Sequence, residues 1–375
     1  MTGPLAGVRI IEFTGIGPGP FCGMMLADHG AEVIRIDRPG GFMLPGDPLA
    51  RSRKSIAIDT KKPEGAALAR EIVKTADGLI EGYRPGVMER LGLGPQILHK
   101  DNPKLVYGRM TGWGQNGPYA SAAGHDINYI ALSGALHGCG RKNDKPTPPV
   151  NYLGDFGGGA MMLAFGMVSA ILAVKNGAKG QVIDCAMTDG SALLTAMTYG
   201  LKAAGQWRDK RGVNLLDTGA HFYDTYETKD GKWISIGALE PQFYALLREK
   251  LNLAEDKAFD AQLDQSKWDL LKQKLTEIFK TQTRDDWCAL LENTDVCFAP
   301  VLSMEEAPLH PHNVSRGAFI TVDGVTQPGP APRYSDSKND HPTPAPDVGA
   351  DAVEILSMIG RREDEDKLRQ AGVII

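Results

Sequence analysis

Residues 7–36, GVRIIEFTGIGPGPFCGMMLADHGAEVIRI, decide the fold. The apolar run from Gly7 to Phe13 predicts a buried strand, and a turn rich in glycine and proline follows it at residues 14–19. An apolar helix is predicted from this turn to His29, and residues 32–36 predict a second strand. A strand, a helix and a strand in this order form a βαβ unit, whose two strands lie parallel in one sheet.

The same alternation continues through the first half of the chain. Helices are predicted at about 63–76, from 126, from 158 and near 191–204, and strands are predicted at 78–81, 104–110 and 181–186. Strands that alternate with helices are typical of an α/β fold with a largely parallel, Rossmann-like sheet.

The pattern changes after about residue 205. Two alternating runs, 221–228 and 232–238, flank Lys229-Asp230-Gly231, which is a hairpin signal. Amphipathic helices are then predicted at 241–251, 265–280 and 284–292, the last of them capped by Thr283. This composition predicts a second, smaller α+β domain.

The chain therefore divides into two predicted domains with linkers. Residues 327–346 are dense in proline, serine and aspartate and predict an extended strap, which a last helix follows at 350–360. The predicted parts are a large α/β domain at 1–190 with 328–375, a linker helix at 191–220, a small domain at 221–310 and a return linker at 311–327.

Length and composition are those of an ordinary globular protein. A chain of 375 residues is long enough for two domains, and a net charge of -5 argues against binding to nucleic acid. No apolar run approaches the roughly 20 residues of a membrane helix, and neither terminus carries a targeting signal, so a cytoplasmic location without membrane attachment is expected. The five cysteines form no C-x-x-C pair, which indicates neither a disulfide framework nor a metal site.

Basic residues concentrate near the N-terminus. Seven of them lie between Ala31 and Lys62, against four acidic residues. In an acidic chain, such a cluster beside strand ends indicates a small polyanionic ligand, although a salt-bridged surface explains the charge alone equally well.

The glycine-rich turn partly resembles a dinucleotide-binding motif. It reads Gly15-Ile16-Gly17-Pro18-Gly19-Pro20, and Asp37 follows about twenty residues later. The third glycine of that motif would fall on Pro20, and the two prolines remove N–H groups that a pyrophosphate needs. We therefore interpret the segment as a tight turn that lets a helix or a ligand approach, and expect no nicotinamide or flavin cofactor.

Two polar residues in glycine-flanked segments are the candidate catalytic groups. His125 lies in GHDINY at 124–129 and Asp155 lies in GDFGGG at 154–159, each at the start of a helical pattern. An imidazole and a carboxylate on opposite sides of one carbon can exchange its proton, because one group takes the proton and the other returns one. From the residues alone, an N-cap role for Asp155 and a structural role for His125 remain open.

Six motifs in order carry a resemblance to a known family. Besides the segments around His125 and Asp155, they are IRIDRP at 34–39, EGYRPG at 81–86, RLGLG at 90–94 and RMTGWGQNGP at 109–118. From about Leu5 to Leu302 the chain resembles the family III CoA-transferases, and within them most the α-methylacyl-CoA racemase branch.

The resemblance implies an interlocked homodimer, in which the large domain of one chain and the small domain of the other enclose each active site. The polyanion is then coenzyme A, which is part of the substrate, so that no separate cofactor and no metal are expected. Catalysis would fall to His125 and Asp155, with Glu240 as the ion-pair partner of the histidine. The implied contacts of the CoA thioester are Arg38, Ile58, Asp59, Thr60, Lys61, Gly82, Tyr83, Arg84, Arg90, Gly124, Asp126, Ile127, Asn128 and Tyr129.

The predicted function is racemisation of 2-methylacyl-CoA thioesters by two-base 1,1-proton transfer through an enolate. The main alternative is a CoA-transferase in which Asp155 is the acyl-accepting nucleophile, and a remote one is a non-catalytic CoA-binding protein. Ala238-Leu239-Glu240-Pro241 stands where such transferases typically carry a run of glycines, which favours the racemase. Met110, Met161, Met162 and Met187 are candidates for an apolar acyl surface, or else for the core.

Overall fold

The N-terminal strand, helix and strand start a six-stranded parallel sheet in the structure, a computed structural model that describes residues 2–41 and 44–375. The strand order is β3-β2-β1-β4-β5-β6, so that the direction of winding reverses between β1 and β4. The predicted α/β fold is therefore confirmed. The strands are β1 (Arg9–Phe13), β2 (Glu32–Asp37), β3 (Arg53–Ala57), β4 (Gly78–Glu81), β5 (Val106–Thr111) and β6 (Val182–Ala186).

Helices cover both faces of this sheet, because consecutive strand residues point to opposite sides. Ile10 and Val33 join one core with the helices α1 and α7, whereas the neighbouring Ile11 and Ile34 join the other core with α2 and α14. The helices of this part of the chain are α1 (Pro18–Asp28), α2 (Pro63–Val73), α3 (Val87–Arg90), α4 (Pro95–Asp101), α5 (Asp126–Leu132), α7 (Met162–Lys175), α8 (Met187–Leu194), α14 (Ala352–Met358) and α15 (Glu365–Gln370).

One helix is much longer than its sequence suggests. A π-helical segment at Tyr152–Met161 runs directly into α7, which gives a continuous helix of 24 residues. The expectation that no apolar segment approaches membrane-spanning length was therefore wrong, because the glycines at 157–159 concealed the start of the helix. Its length and composition would suffice to cross a membrane. However, core helices of soluble proteins can have the same length and composition, and 44% of its most apolar 18-residue stretch is buried.

A three-stranded antiparallel sheet organises the second part of the chain. The predicted hairpin is confirmed by β7 (Tyr223–Glu227) and β8 (Trp233–Gly237), and β9 (Phe298–Val301) extends it. Thr283 caps its helix as predicted, since its hydroxyl accepts a hydrogen bond from the backbone N–H of Asp286. The helices are α6 (Ala135–Gly138), α9 (Ala196–Ala203), α10 (Pro241–Lys250), α11 (Trp268–Phe279), α12 (Arg284–Leu291) and α13 (Pro311–Arg316).

The chain forms two compact units. The large unit consists of Met1–Ser133, Val150–Leu194 and Ser315–Ile375, and the small unit consists of Gly134–Pro149 and Thr195–Val314. At the end of the predicted return linker and one residue beyond it, the large unit contains a hairpin of β10 (Phe319–Val322) and β11 (Val325–Pro328).

The C-terminal segment covers the outer edge of β3. The backbone N–H of Ser55 donates to Asp351 Oδ2 at 2.8 Å, and that of Asp59 donates to the carbonyl of Val373 at 2.9 Å. Ile58 and Ile374 also form an isolated β-bridge. Backbone groups at an open sheet edge invite pairing with other chains, so the segment closes an otherwise reactive edge.

The basic cluster of residues 31–62 is mostly structural. Arg35, Arg51 and Arg53 are buried, and each pairs with a buried carboxylate of the same unit. The closest nitrogen and oxygen atoms lie 2.9 Å apart for Arg35 and Asp37, 2.5 Å for Arg51 and Asp28, and 3.2 Å for Arg53 and Glu12. The interpretation of the whole cluster as a ligand site was therefore wrong, and only its exposed members are free for that role.

The Glu12–Arg53 pair offers a test of this packing. Replacing Arg53 by Met leaves the Glu12 carboxylate buried without its guanidinium partner, so we expect the free energy of unfolding to fall by about 3–5 kcal/mol. Urea unfolding followed by circular dichroism measures the change. Lys54→Met, which removes the partly exposed ion pairs of the next residue of β3 with Glu32 and Glu354, is the matched control and should cost less than about 1 kcal/mol. An equal loss in both variants would contradict the assignment.

Candidate active site

A cavity of about 570 Å³ opens at the carboxyl ends of β1, β4 and β5. Its walls come from the turns that follow these strands, at residues 15–20, 82–85 and 110–113. This is the point where the winding of the sheet reverses, and open α/β sheets bind their ligands at such points. Of the predicted site residues, the cavity brings together Gly82, Tyr83, Arg84, Gly124, His125, Tyr129 and Asp155.

Asp155 lies inside the π-helical segment, and its carboxylate faces the cavity. Asn151 Nδ2 donates a hydrogen bond to Asp155 Oδ2 at 3.1 Å. A Cβ built on Gly17, whose φ is +72°, would lie 3.5 Å from the same oxygen. The helix begins at Tyr152 and its N-cap position is Asn151, so the N-cap alternative for Asp155 was wrong.

The environment of Asp155 favours its protonated form. Partial burial raises the pKa of its carboxyl group, and the negative charge of Asp126 raises the pKa further. The hydrogen bond from Asn151 and the nearby His125 act in the opposite direction, without cancelling the rise. Because a carboxyl group with a raised pKa holds and releases a proton closer to neutral pH, it is better suited to acid–base chemistry than an ordinary surface aspartate.

His125 is exposed at the cavity and precedes the first residue of α5. The backbone N–H of His125 donates to Asn128 Oδ1 at 3.0 Å, and the backbone N–H of Asn128 donates to the carbonyl of His125 at 2.8 Å. Asn128 therefore fixes the backbone from which the imidazole projects, and its side-chain oxygen is engaged there. Neither Asn128 nor its exposed neighbour Ile127 lines the cavity.

An aromatic cluster forms one wall. Tyr129 donates its hydroxyl hydrogen to the carbonyl of Gly124, and its ring meets that of Trp113 edge to face, with centroids 4.8 Å apart. Tyr119 extends the cluster, with its ring centroid 5.0 Å from that of Trp113. A Cβ on Gly112 would lie 2.1 Å from the Tyr129 ring, so that glycine is required there. The motif around Trp113 was recognised in the sequence, but its role as a wall was not.

Other predicted CoA contacts lie outside the cavity lining. Arg38 stacks over the Tyr83 ring, with 5.1 Å between the guanidinium carbon and the ring centroid, and so adjoins the cavity through Tyr83. Arg90 is exposed on α3. Ile58 is buried in the core at 1% exposure, which leaves only its backbone for a ligand. Asp59, Thr60 and Lys61 follow β3, where the backbone N–H of Lys61 donates to Asp59 Oδ1 at 3.1 Å.

The remaining candidates are divided between the two units. Glu240 lies in the small unit, at the N-cap position of α10. Met110 and Met187 line the cavity, whereas Met161 and Met162 do not.

The structure does not favour a dinucleotide at the glycine-rich turn. The carboxylate of Asp37, which would have to bind a ribose, accepts hydrogen bonds from Arg35 Nη2 at 2.9 Å and from Ser55 Oγ at 2.6 Å. Pro18 occupies the first position of α1, so an amide is missing where a pyrophosphate would bind. Among the described residues, no three His, Cys, Asp or Glu side chains are grouped as metal ligands would be.

A buried carboxylate behind the cavity was missed in the sequence. Glu81 Oε2 accepts a hydrogen bond from the backbone N–H of Tyr83 at 2.8 Å, and Glu81 Oε1 accepts one from Arg109 Nε at 3.0 Å. Arg109 also forms an ion pair with Glu89, with 2.9 Å between Arg109 Nη1 and Glu89 Oε1. Glu81 thus holds the turn that presents Tyr83 and Arg84 to the cavity. Its signals in the sequence were its position at the end of a buried strand and its place as the first residue of the motif EGYRPG, but neither disclosed this role.

Several known proteins are similar to this chain over almost its whole length. The family model described as CoA-transferase family III matches residues 5–352. The α-methylacyl-CoA racemase of Mus musculus is 45% identical over 369 residues, which cover 96% of this chain and 94% of the mouse protein. The racemase of the same name from Homo sapiens is 42% identical, with the same coverage. The crystal structure of a CAIB/BAIF family protein from Brucella suis superposes with a TM-score of 0.83 at 26% identity, and covers 96% of this chain and 100% of the Brucella chain.

Glu81 provides a test by pH. Burial raises the pKa of its carboxyl group from 4.5 to about 7. Folding therefore favours the protonated form, and this stabilisation is fully present below pH 4.5 and is lost as the pH rises to about 7. Relative to Glu81→Gln, which does not titrate, we expect the wild-type free energy of unfolding to fall by up to about 3 kcal/mol across this interval. Urea unfolding at several pH values measures the difference, and a difference independent of pH would contradict the assignment.

Proposed function

The chain belongs to CoA-transferase family III, and from this premise we propose that it racemises 2-methylacyl-CoA thioesters. The observation that carries the proposal is the presence of His125 and Asp155 at one cavity. The identity to two α-methylacyl-CoA racemases over almost the whole chain supports it.

The chemistry follows from the two bases. The thioester carbonyl makes the proton on the neighbouring carbon acidic, since the electron pair that its removal leaves can delocalise onto the carbonyl oxygen as an enolate. In one direction the Asp155 carboxylate takes this proton and the protonated imidazole of His125 delivers another to the opposite face. In the reverse direction the two groups exchange roles. The raised pKa of Asp155 suits a residue that must hold the proton in one half of the cycle.

Basic and aromatic groups beside the cavity are suited to the coenzyme A part of the substrate. Arg84 lines the cavity, and Arg38 adjoins it through Tyr83. Guanidinium groups offer paired donors to phosphate oxygens, and an aromatic ring offers a surface on which a base can stack. We propose that Arg90 and residues 58–61 add contacts further along the coenzyme. Met110 and Met187 would then provide a deformable apolar floor for the acyl group.

We also propose a homodimer. Several large apolar side chains are exposed on α5, α7, α8 and the π-helical segment of the large unit, elements that contact one another, and exposed apolar patches mark interaction surfaces. They are Leu132, Tyr152, Met161, Phe165, Leu172, Leu193 and Leu194, of which Phe165 is the most exposed at 75%. A second copy that covers this face could bring its own small unit, and with it a copy of Glu240, to His125.

The main alternative is a CoA-transferase. Asp155 would serve that reaction as the nucleophile, because its carboxylate faces the same cavity. His125 counts against it, since proton exchange needs the imidazole and acyl transfer through Asp155 does not. The segment Ala238-Leu239-Glu240-Pro241 also counts against it, because such transferases typically carry a run of glycines there. A non-catalytic CoA-binding protein would have no use for either group.

The proposal includes no separate cofactor, because coenzyme A arrives with the substrate and proton transfer needs no electron carrier. A cytoplasmic location and the absence of membrane or nucleic-acid partners stay predictions.

A single epimer of a 2-methylacyl-CoA, incubated with the protein in deuterium oxide, tests the function. We expect racemisation with incorporation of deuterium at the α-carbon. Chiral chromatography measures the racemisation, and mass spectrometry measures the deuterium. His125→Ala and Asp155→Ala should each lower the rate by at least about 100-fold, since each removes one of the two proton-transferring groups.

His312→Ala replaces an exposed histidine of the small unit and serves as the control. Acyl transfer to a free acid without α-exchange would establish the transferase instead. Full activity in either active-site variant would contradict the two-base assignment.

The dimer has its own test. Phe165→Glu places a charge on the apolar face, so we expect a shift from dimer to monomer in size-exclusion chromatography with light scattering. Met304→Glu changes an exposed methionine of the small unit and should leave the dimer intact. A wild-type protein that is monomeric at micromolar concentration would contradict the proposal.

A further inference from the structure

Asp126 connects the two candidate catalytic segments. Its Oδ2 accepts hydrogen bonds from the backbone N–H groups of Gly154 at 2.6 Å and Asp155 at 2.7 Å. Asp126 directly follows His125 in the chain and is the first residue of α5. One carboxylate oxygen therefore links the backbone beside the imidazole to the backbone that carries the Asp155 carboxylate.

The surroundings of this contact make it rigid. Asp126 is buried at 5% exposure, so water does not compete for the two hydrogen bonds. A Cβ on Gly154 would lie 2.6 Å from Asp126 Oδ2 and 3.1 Å from Ile130 Cγ2, so only glycine allows the carboxylate to come this close. Asp126 Oδ1 has no hydrogen-bond partner in the described part of the chain, which leaves Oδ2 as the oxygen that makes the contact.

The same contact accounts for why Asp126 does not line the cavity, although the sequence suggests a substrate contact there. Its carboxylate is directed at the backbone of the π-helical segment. A polar residue next to a catalytic histidine thus has a structural task that sequence alone does not distinguish from ligand binding.

We propose that Asp126 is a positioning residue that sets the separation of His125 and Asp155, and that Gly154 is its obligatory counterpart. This inference rests on the proposed racemisation, in which both groups must reach the same carbon from opposite sides. Displacements of about 1 Å at reacting groups reduce rates by about 100-fold. The hydrogen bonds from Asp126 to the backbone of Gly154 and Asp155 restrict such displacements directly, because they hold the backbone that carries the Asp155 carboxylate.

Asp126 also acts on Asp155 through its charge. The groups that interact electrostatically with the Asp155 carboxyl are Asp126 and His125, while Tyr129 is a further titratable neighbour. The negative charge of Asp126 raises the pKa of Asp155, and His125 lowers it. A neutral residue at position 126 should therefore lower the pKa of Asp155, even where the hydrogen bonds are kept.

Two variants of Asp126 separate these contributions. Asp126→Ala removes the acceptor, and we expect kcat to fall by about 100-fold in both directions while KM changes less than about threefold. Asp126→Asn has an amide oxygen in place of Oδ2, so its kcat should be at least about tenfold higher than that of Asp126→Ala. In the direction in which Asp155 is the base, the acid limb of its kcat profile should move to lower pH, because the charge that raised the pKa is gone.

A variant on the other side of the contact provides an independent check. Gly154→Ala should reproduce the loss of kcat seen in Asp126→Ala, because its methyl group displaces the carboxylate. Gly166→Ala is the matched control, since it lies in the same continuous helix and its Cβ would meet Ile183 Cγ2 at an ordinary 3.4 Å. Thermal melting of each variant confirms that it is folded.

Amide hydrogen exchange, followed by mass spectrometry of peptides that cover residues 150–158, tests the contact without any assay of activity. Faster exchange in Asp126→Ala and Gly154→Ala than in the wild type and Gly166→Ala supports the contact, even if the wild type proves not to be a racemase. The inference is overturned by unchanged exchange, by an Asp126→Ala enzyme with a kcat within threefold of wild type, or by equal losses in the Ala and Asn variants.

Discussion

The reversal of winding between β1 and β4 is the constraint on which the rest of the structure depends. The chain leaves β1 towards one face of the sheet, where α1 packs, and leaves β4 towards the other face, where Met88 and Leu98 are buried. Since the two turns diverge, no helix covers the space between them. The cavity is that space, and His125 and Asp155 face it from the start of α5 and from the π-helical segment. The apolar strands thus specify the place of the chemistry before any polar residue is considered.

The fold was largely predictable because its strands are short apolar runs separated by glycine and proline. β3 escaped prediction for a physical reason: Arg53 and Lys54 resemble surface residues, and nothing local indicates that Glu12 neutralises Arg53 inside the core. Similarly, the glycines at 157–159 weaken the helical pattern in the sequence. In the structure, Gly158 and Gly190 allow the π-helical segment and α8 to approach so closely that a Cβ on Gly190 would overlap the Gly158 carbonyl oxygen. Long-range pairs and close backbone contacts leave no periodic signal.

Some residues of the candidate site could likewise be predicted from the sequence, and others could not. His125 and Asp155 were identified because an unusual sequence surrounds each of them, and the cavity brings both together. The functions of Asn151, Glu81 and Trp113 depend on which atoms face them after folding, and ordinary residues at ordinary spacings do not disclose this. Asp126 shows the difference most clearly, since one hydrogen-bond acceptor beside a histidine fits a ligand contact and a backbone contact equally well until the structure is known. The raised pKa of the Asp155 carboxyl group likewise depends on burial and on the neighbouring Asp126, which its place in the sequence does not disclose.

The closure of the sheet edge at β3 also has a consequence for biosynthesis. Asp351 lies 296 positions after Ser55, whose backbone it covers. At translation rates of about 5–20 residues per second, the edge strand waits roughly 15–60 s on the ribosome before its cover exists. During that interval the nascent sheet exposes unpaired backbone groups, and the charged side chains of β3, with Lys54 directed partly to solvent, are its own protection against pairing with other chains.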